Sequence, residues 1–255
     1  MKACAGRRMG WLVAALALAL LQGTSAQTDK DLIGYWPFDE GTGVTARDQA
    51  GKNDLDLVGN PVWTKNASGY CLLFDGSLER PVYGERDSVL GYAGIMGCGT
   101  ISVWARAVDG GPTQRARVAV LSEIQVGISD GHWSGLAYDG RVEYILGPPV
   151  VNDQWVHLAL TWNEVFARFY VNGKEIVREE GQYLRYDTSG WVTTMWDNLY
   201  ISFPRHGQMY KGYVDDWKMY KCALAPAEIA AEYEREKDKR AITAPNAKAA
   251  TPSQK

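Results

Sequence analysis

Histidine and cysteine are scarce: the 255 residues contain three of the first and four of the second. No CxxC and no histidine pair accompanies them, so the spacing fits no zinc site. Basic charge is lacking as well. A formal charge of −3 and a pI near 5.7 argue against nucleic acid, whose phosphates demand a basic surface. The chain also has no phosphate loop and no HExxH. No apolar run after residue 26 is long enough to cross a bilayer.

The first 26 residues read as a signal peptide. Lys2, Arg7 and Arg8 are basic, Trp11 to Leu21 is apolar, and Thr24-Ser25-Ala26 ends in small residues suited to cleavage before Gln27. The mature chain is therefore expected to be soluble and exported, whether secreted, periplasmic or extracellular, with no membrane span. Cys4 leaves with the signal, so Cys71, Cys98 and Cys222 allow one disulfide and one leftover thiol. Cys98 precedes one expected strand and Cys222 follows another, which favours pairing these two. Residues 27–238 form the expected domain, and the small, polar, proline-bearing 239–255 reads as a disordered tail.

Short strand-like segments fill that domain: 33–38, 69–75, 100–107, 117–127, 134–138, 141–145, 155–162, 165–171, 174–179, 198–203 and 212–220. Residues 155–178 are the most regular. They alternate apolar and polar residues, turn at Asn163-Glu164, and turn again at Asn172-Gly173, where both central residues favour positive φ. A two-residue loop at 163–164 would pair Trp162 with Val165, Leu160 with Ala167, Leu158 with Phe169 and Val156 with Val171. That face is apolar; the other carries His157, Arg168 and Tyr170. One helix is expected over 226–238, with Pro226 at its first position and Ile229 and Tyr233 on one stripe.

Five blocks in order resemble the laminin G-like, concanavalin A-like lectin/glucanase family: LIGYWPFDEGTGVTARDQAGKNDLDLVG, GYCLLFDGS, GTISVWARA, QWVHLALTWNEVFARFYVNGKEI and YKGYVDDWKMYKCALAPAEI. The resemblance runs from about Leu32 to Ile229. Cys71 and Cys222 stand where the family usually has alanine and arginine, and residues 108–150 and 181–197 match nothing in it. It implies an all-β jelly roll: two antiparallel sheets packed face to face, often with a structural calcium. Binding modules, adhesion domains, glycosidases and lyases all use this fold, so fold alone does not choose among them.

Candidate sites follow. Alternation places Tyr213, Asp215, Trp217 and Met219 on the core face, where a carboxylate needs a cation or several donors. The resemblance puts a calcium ion between the opening loop and this strand, with Asp39 as the second protein ligand. Asp48, Asn53 and Asp54 read as turn formers. Ten tryptophans exceed what the strand patterns absorb. Trp133, Trp191, Trp196 and Tyr186 lie in the unmatched segments, and sugar rings stack on exposed indoles. If the central hairpin lies on a concave sheet, His157, Arg168 and Tyr170 line the groove. No Glu-x-Asp-x-x-Glu run supplies a glycosidase carboxylate pair, and the Gln-x-His of lyases has only Gln125-Val126-Gly127 as its nearest stretch.

The sequence thus reads as an exported, non-catalytic module for a carbohydrate or glycoconjugate. A protein-binding adhesion or cell-envelope module and a divergent glycoside hydrolase or lyase remain alternatives.

Overall fold

A computed structural model describes residues 31–51, 53–57, 62–76, 82–84, 98–109, 115–121, 124–137, 144–163, 166–176, 199–201 and 209–240. The expected signal peptide over residues 1–26 and the end of the expected tail, residues 241–255, lie outside the described residues. In chain order the first strands are β1 (Leu32–Trp36), β2 (Thr45–Ala46), β3 (Leu55–Leu57), β4 (Val62–Lys65), β5 (Tyr70–Asp75), β6 (Val82–Gly84), β7 (Gly99–Ala107) and β8 (Arg115–Leu121). Then come β9 (Ile124–Ser129), β10 (His132–Ala137), β11 (Tyr144–Pro149), β12 (Val156–Trp162), β13 (Ala167–Val171), β14 (Lys174–Ile176), β15 (Leu199–Ile201) and β16 (Lys211–Tyr220). Helix α1 (Pro226–Glu236) and a 3-10 helix (Lys237–Arg240) follow. The segment read as one strand over 117–127 is two, β8 and β9, joined as a hairpin. The short strands β2, β3, β4 and β6 escaped the sequence reading.

Among the described residues the strands form two eight-stranded antiparallel sheets. The first runs β14-β13-β12-β7-β16-β5-β4, with β1 also paired to β16; the second runs β11-β10-β9-β8-β15-β6-β3-β2. One apolar core joins their facing sides, including Trp36, Ile101, Leu158, Leu160, Phe169 and Trp217 from the first sheet and Val118, Val126 and Trp133 from the second.

In the central hairpin, Trp162 pairs with Ala167, Leu160 with Phe169 and Leu158 with Val171. The register is two residues from the expected one because the loop is longer. Asn163 N–H donates to the Phe166 carbonyl at 2.9 Å, and Asn163 Oδ1 accepts the Phe166 N–H at 3.0 Å. A shift of two preserves every side-chain face, so the apolar face is the core face as expected. At the next turn Asn172 and Gly173 have φ of 50° and 74°, the positive values that Asn-Gly favours.

β16 departs from simple alternation. Its register to β7 shifts between Asp215 and Lys218, and Asp216 takes a φ of 44°. This bulge puts Val214, Trp217 and Met219 in the core and moves Asp215 out of it. The expectation that Asp215 shares the core face with Trp217 and Met219 is therefore corrected: one extra residue reverses the alternation. On its other edge β16 is shared. Residues 211–214 pair with β5 and residues 217–220 with β1, so Asp215 and Asp216 lie at the fork.

Helix α1 begins at Pro226 as expected, and Glu228 reaches back to accept the Ala225 N–H at 2.7 Å. Helical structure extends to Arg240, which is 6% exposed, so the expected tail does not start at residue 239.

Candidate functional site

On the outer side of the first sheet, alternation brings out Ser102 and Trp104 from β7, His157 from β12, Tyr170 from β13, and Lys218 and Tyr220 from β16. Of these, His157 and Tyr170 are expected, with Arg168, to line a groove if the sheet is concave. The structure closes it with the chain's own helix. Glu232, Glu236 and Arg240, four residues apart, fall on one helical stripe aimed at the sheet. Glu232 accepts hydrogen bonds from Ser102 Oγ at 2.5 Å and Tyr220 OH at 2.7 Å, and lies 3.2 Å from His157 Nε2 and 3.3 Å from Lys218 Nζ. Glu236 takes Lys218 Nζ at 2.5 Å and Trp104 Nε1 at 2.8 Å. Ala159, Tyr170, Tyr220, Leu224 and Ile229 form a small apolar cluster beside these ion pairs.

His157 and Tyr170 are fully buried, so neither lines an open groove. Arg168 is only part-buried, with Nε 3.6 Å from Glu175 and its guanidinium over the Phe166 ring. Burial opposes the charge on Glu232, yet Lys218 and His157 hold its carboxyl well below the usual value of 4.5. Burial likewise opposes the Lys218 charge, and Glu232 and Glu236 raise its pKa above the ordinary lysine value. Serine, histidine and glutamate meet here, but both side chains converge on the carboxylate beneath a closed helix. The cluster is a fastening, not a nucleophile site.

Asp215 and Asp39 are the expected calcium ligands, and Asp216 lies beside them at the bulge. Asp215 Oδ2 accepts Asn66 Nδ2 at 2.8 Å and lies 3.0 Å from Arg240 Nη2; its Oδ1 accepts the Asp216 N–H at 3.0 Å. Asp216 accepts Tyr35 OH at 2.6 Å and also bonds Arg240. Asp39 Oδ1 accepts the Tyr70 N–H at 2.9 Å. Protein donors already occupy both Asp215 oxygens and one of Asp39, so this pair does not fit a resident calcium ion. Among the described residues no group of three or more metal-binding side chains gathers anywhere. Asp48 is a turn organiser, as read: its carboxylate accepts the N–H groups of Tyr35, Ala50, Gly51 and Asn53.

Cys71, Cys98 and Cys222 are free thiols, so the expected Cys98–Cys222 bond is not formed in the structure. Cys98 Sγ donates to the Lys221 carbonyl at 3.2 Å, and Cys222 Sγ lies 3.4 Å from Asp31 Oδ2.

The outer side of the second sheet is different. Ile124, Val126 and Ile128 of β9 enter the core, so Gln125, Gly127 and Ser129 face outward. There a small cleft of about 10 Å³, room for one water molecule, is lined by Arg115, Arg117, Gln125, Ser134 and Tyr144, among others. Gly127 lets β8 approach closely, since a Cβ would fall 2.1 Å from the Ala116 carbonyl oxygen. The Arg115 guanidinium lies 5.6 Å from the Tyr144 ring centre. Gln125 and Ser134 are buried although polar, while Arg115 is exposed. Sequence reasoning missed these residues. Their one signal was polar side chains alternating with core positions in 115–134.

Trp133, expected at a loop rim, is 1% exposed on β10 and belongs to the core. Trp191, Trp196 and Tyr186 lie outside the described residues. Gly127-Ile128-Ser129-Asp130-Gly131 has the Gly-x-Ser-x-Gly spacing, but it ends β9 and turns into β10. A nucleophile elbow needs a strand-to-helix turn with an exposed serine, and Ser129 is 2% exposed.

Residues 96–230 match the family described as the concanavalin A-like lectin/glucanases superfamily, laminin G type. The chain belongs to that superfamily. No curated protein sequence matches it. Among solved structures it is similar to a botulinum neurotoxin type C structure, whose cell entry is described as dependent on two ganglioside molecules. That match has 13% identity and a TM-score of 0.63, covering 83% of this chain and 52% of that one. Domain 4 of AbnA, an extracellular arabinanase from Geobacillus stearothermophilus, solved with arabinotriose, gives 14% identity, a TM-score of 0.59 and coverage of 79% and 97%. A Trypanosoma rangeli sialidase with the inhibitor DANA gives 16%, 0.60, 79% and 32%. The chain thus spans about half of the neurotoxin structure, and these likenesses carry the fold alone.

Proposed function

We propose that the protein is an exported, non-catalytic module that binds a carbohydrate or glycoconjugate on the outer face of its second sheet. One observation carries the reading. The outer face of the first sheet is closed by α1, whereas that of the second holds a cleft lined by Arg115, Gln125, Ser134 and Tyr144. Amide, hydroxyl and guanidinium groups beside an aromatic ring suit sugar hydroxyls and the apolar C–H face of a sugar ring. The arabinotriose complex of a domain with the same fold supports this reading. The clustered carboxylates Glu232 and Glu236 are committed to ion pairs, which favours binding over hydrolysis.

Calorimetry of the mature chain against a panel of polysaccharides and gangliosides tests it. Saturable binding without new reducing ends is the expected result. Absence of any glycan binding would transfer the reading to a protein-binding adhesion module, and new reducing ends would make it an enzyme.

A further inference from the structure

The carboxylates at the fork of β16 already face a cation, and it belongs to the chain. Arg240 ends the 3-10 helix with its side chain 2% exposed. Its Nη2 meets Asp215 at 3.0 Å and bonds Asp216. Its guanidinium carbon lies 4.9 Å from the Trp104 ring centre and 5.5 Å from that of Trp155. Two acids and two indole rings around one planar cation form a site for that shape, because a guanidinium offers a fork to carboxylates and flat faces to rings. The bulge makes the acids available: Asp216 sits at a φ of 44°, a left-handed conformation that aspartate adopts more readily than most side chains, and Tyr35 OH fixes its other oxygen. Nε and Nη1 of Arg240 are buried without a hydrogen-bond partner, so rings and charge hold this group more than a full set of hydrogen bonds.

We propose that Trp104, Trp155, Asp215 and Asp216 form a guanidinium-binding site, filled in cis by Arg240, where the family resemblance led to calcium. The site fastens the C-terminal helix to the sheet. Emptied of Arg240, it accepts a guanidinium from outside, whether free or on the arginine of a peptide.

The test uses the full mature chain carrying Arg240→Ala, with thermal unfolding followed by circular dichroism. Millimolar methylguanidinium, methylammonium and calcium chloride are compared at equal ionic strength. The variant melts below wild type. Methylguanidinium restores part of the loss in a saturable way, methylammonium does not, and wild type does not respond. Adding Asp216→Asn removes the rescue. A folded Arg240→Ala protein that methylguanidinium leaves unchanged would overturn the site. So would wild-type protein whose melting point rises with calcium and falls with chelator, since that would make it a metal site. Arg240→Lys, which keeps the charge and most of the packing, carries the same test should the alanine variant not fold. Its full wild-type stability would also overturn guanidinium specificity.

Discussion

Lys218 reaches Glu236 at 2.5 Å beneath α1, with both side chains 9% exposed. The same ammonium lies 3.3 Å from Glu232, whose side chain is 1% exposed, so one buried cation serves two buried acids. Such a group is expensive to strand. Lys218→Met leaves Glu232 and Glu236 without their counter-ion and should destabilise the fold by about 3–5 kcal/mol. Urea unfolding measures it; a loss below about 1 kcal/mol, the scale of an exposed pair, would show that water reaches the cluster.

Glu232 gives this fastening a pH dependence. Its folded-state pKa lies below the usual 4.5 because of Lys218 and His157, despite burial. A carboxyl depressed on folding contributes fully above its unfolded value and loses that contribution as pH falls through the folded one. Wild type should therefore exceed Glu232→Gln in stability at neutral pH, and the gap should narrow steadily below about pH 4.5. Taking the difference between the two proteins isolates Glu232 from Asp215, whose carboxyl is raised by burial and titrates with the opposite sign. A gap that stays constant from neutral to acid pH would contradict the assignment.

Much of the fold is legible because the sheets obey a period of two. β12 and β13 show their core face outright, and a register error of two residues did not disturb it. Asp215 fails for the same reason. Alternation counts residues, and a bulge adds one that no local composition announces. The charged stripe of α1 went unread because charge normally seeks water; only the partners Lys218, Ser102 and Tyr220, distant in sequence, reveal that Glu232 points inward. Trp133 shows the limit of arguing from a missing family match. Residues 108–150 fall between the blocks that carry the resemblance, yet the family match over 96–230 covers them, and they contribute four strands and part of the core.

Cys98 and Cys222 supply a chemical prediction. Thr100 pairs with Tyr220, and continuing that antiparallel register sets Cys98 opposite Cys222. Thr100 Oγ1 already donates to the Cys222 carbonyl at 2.8 Å. Oxidised glutathione, a disulfide oxidant, should join the two thiols by exchange through a mixed disulfide and release two molecules of reduced glutathione. A non-reducing tryptic digest should then contain residues 87–106 linked to 222–235, while buried Cys71 stays a thiol. Recovery of both peptides unlinked after oxidation would rule out the pairing.

Binding and stability should separate on the second sheet. Arg115 is exposed at the rim of the cleft, and Gln125 lines its wall from β9. Arg115→Ala removes a cation and its contact with Tyr144 but no core packing, so unfolding should be little changed. If the cleft holds the glycan, affinity should fall by about 1–3 kcal/mol, the range of a significant interface contact. Trp133→Ala is the opposite case. Its indole is 1% exposed between the sheets, and its removal should cost about 3–5 kcal/mol of stability. Parallel calorimetry and urea unfolding on the two variants decide the matter. If Arg115→Ala binds as wild type while a glycan still binds the fold, the ligand sits elsewhere and this cleft is not its site. If Trp133→Ala folds normally but loses binding, the sandwich core has been misassigned at β10, and the tryptophan would be a ligand contact after all.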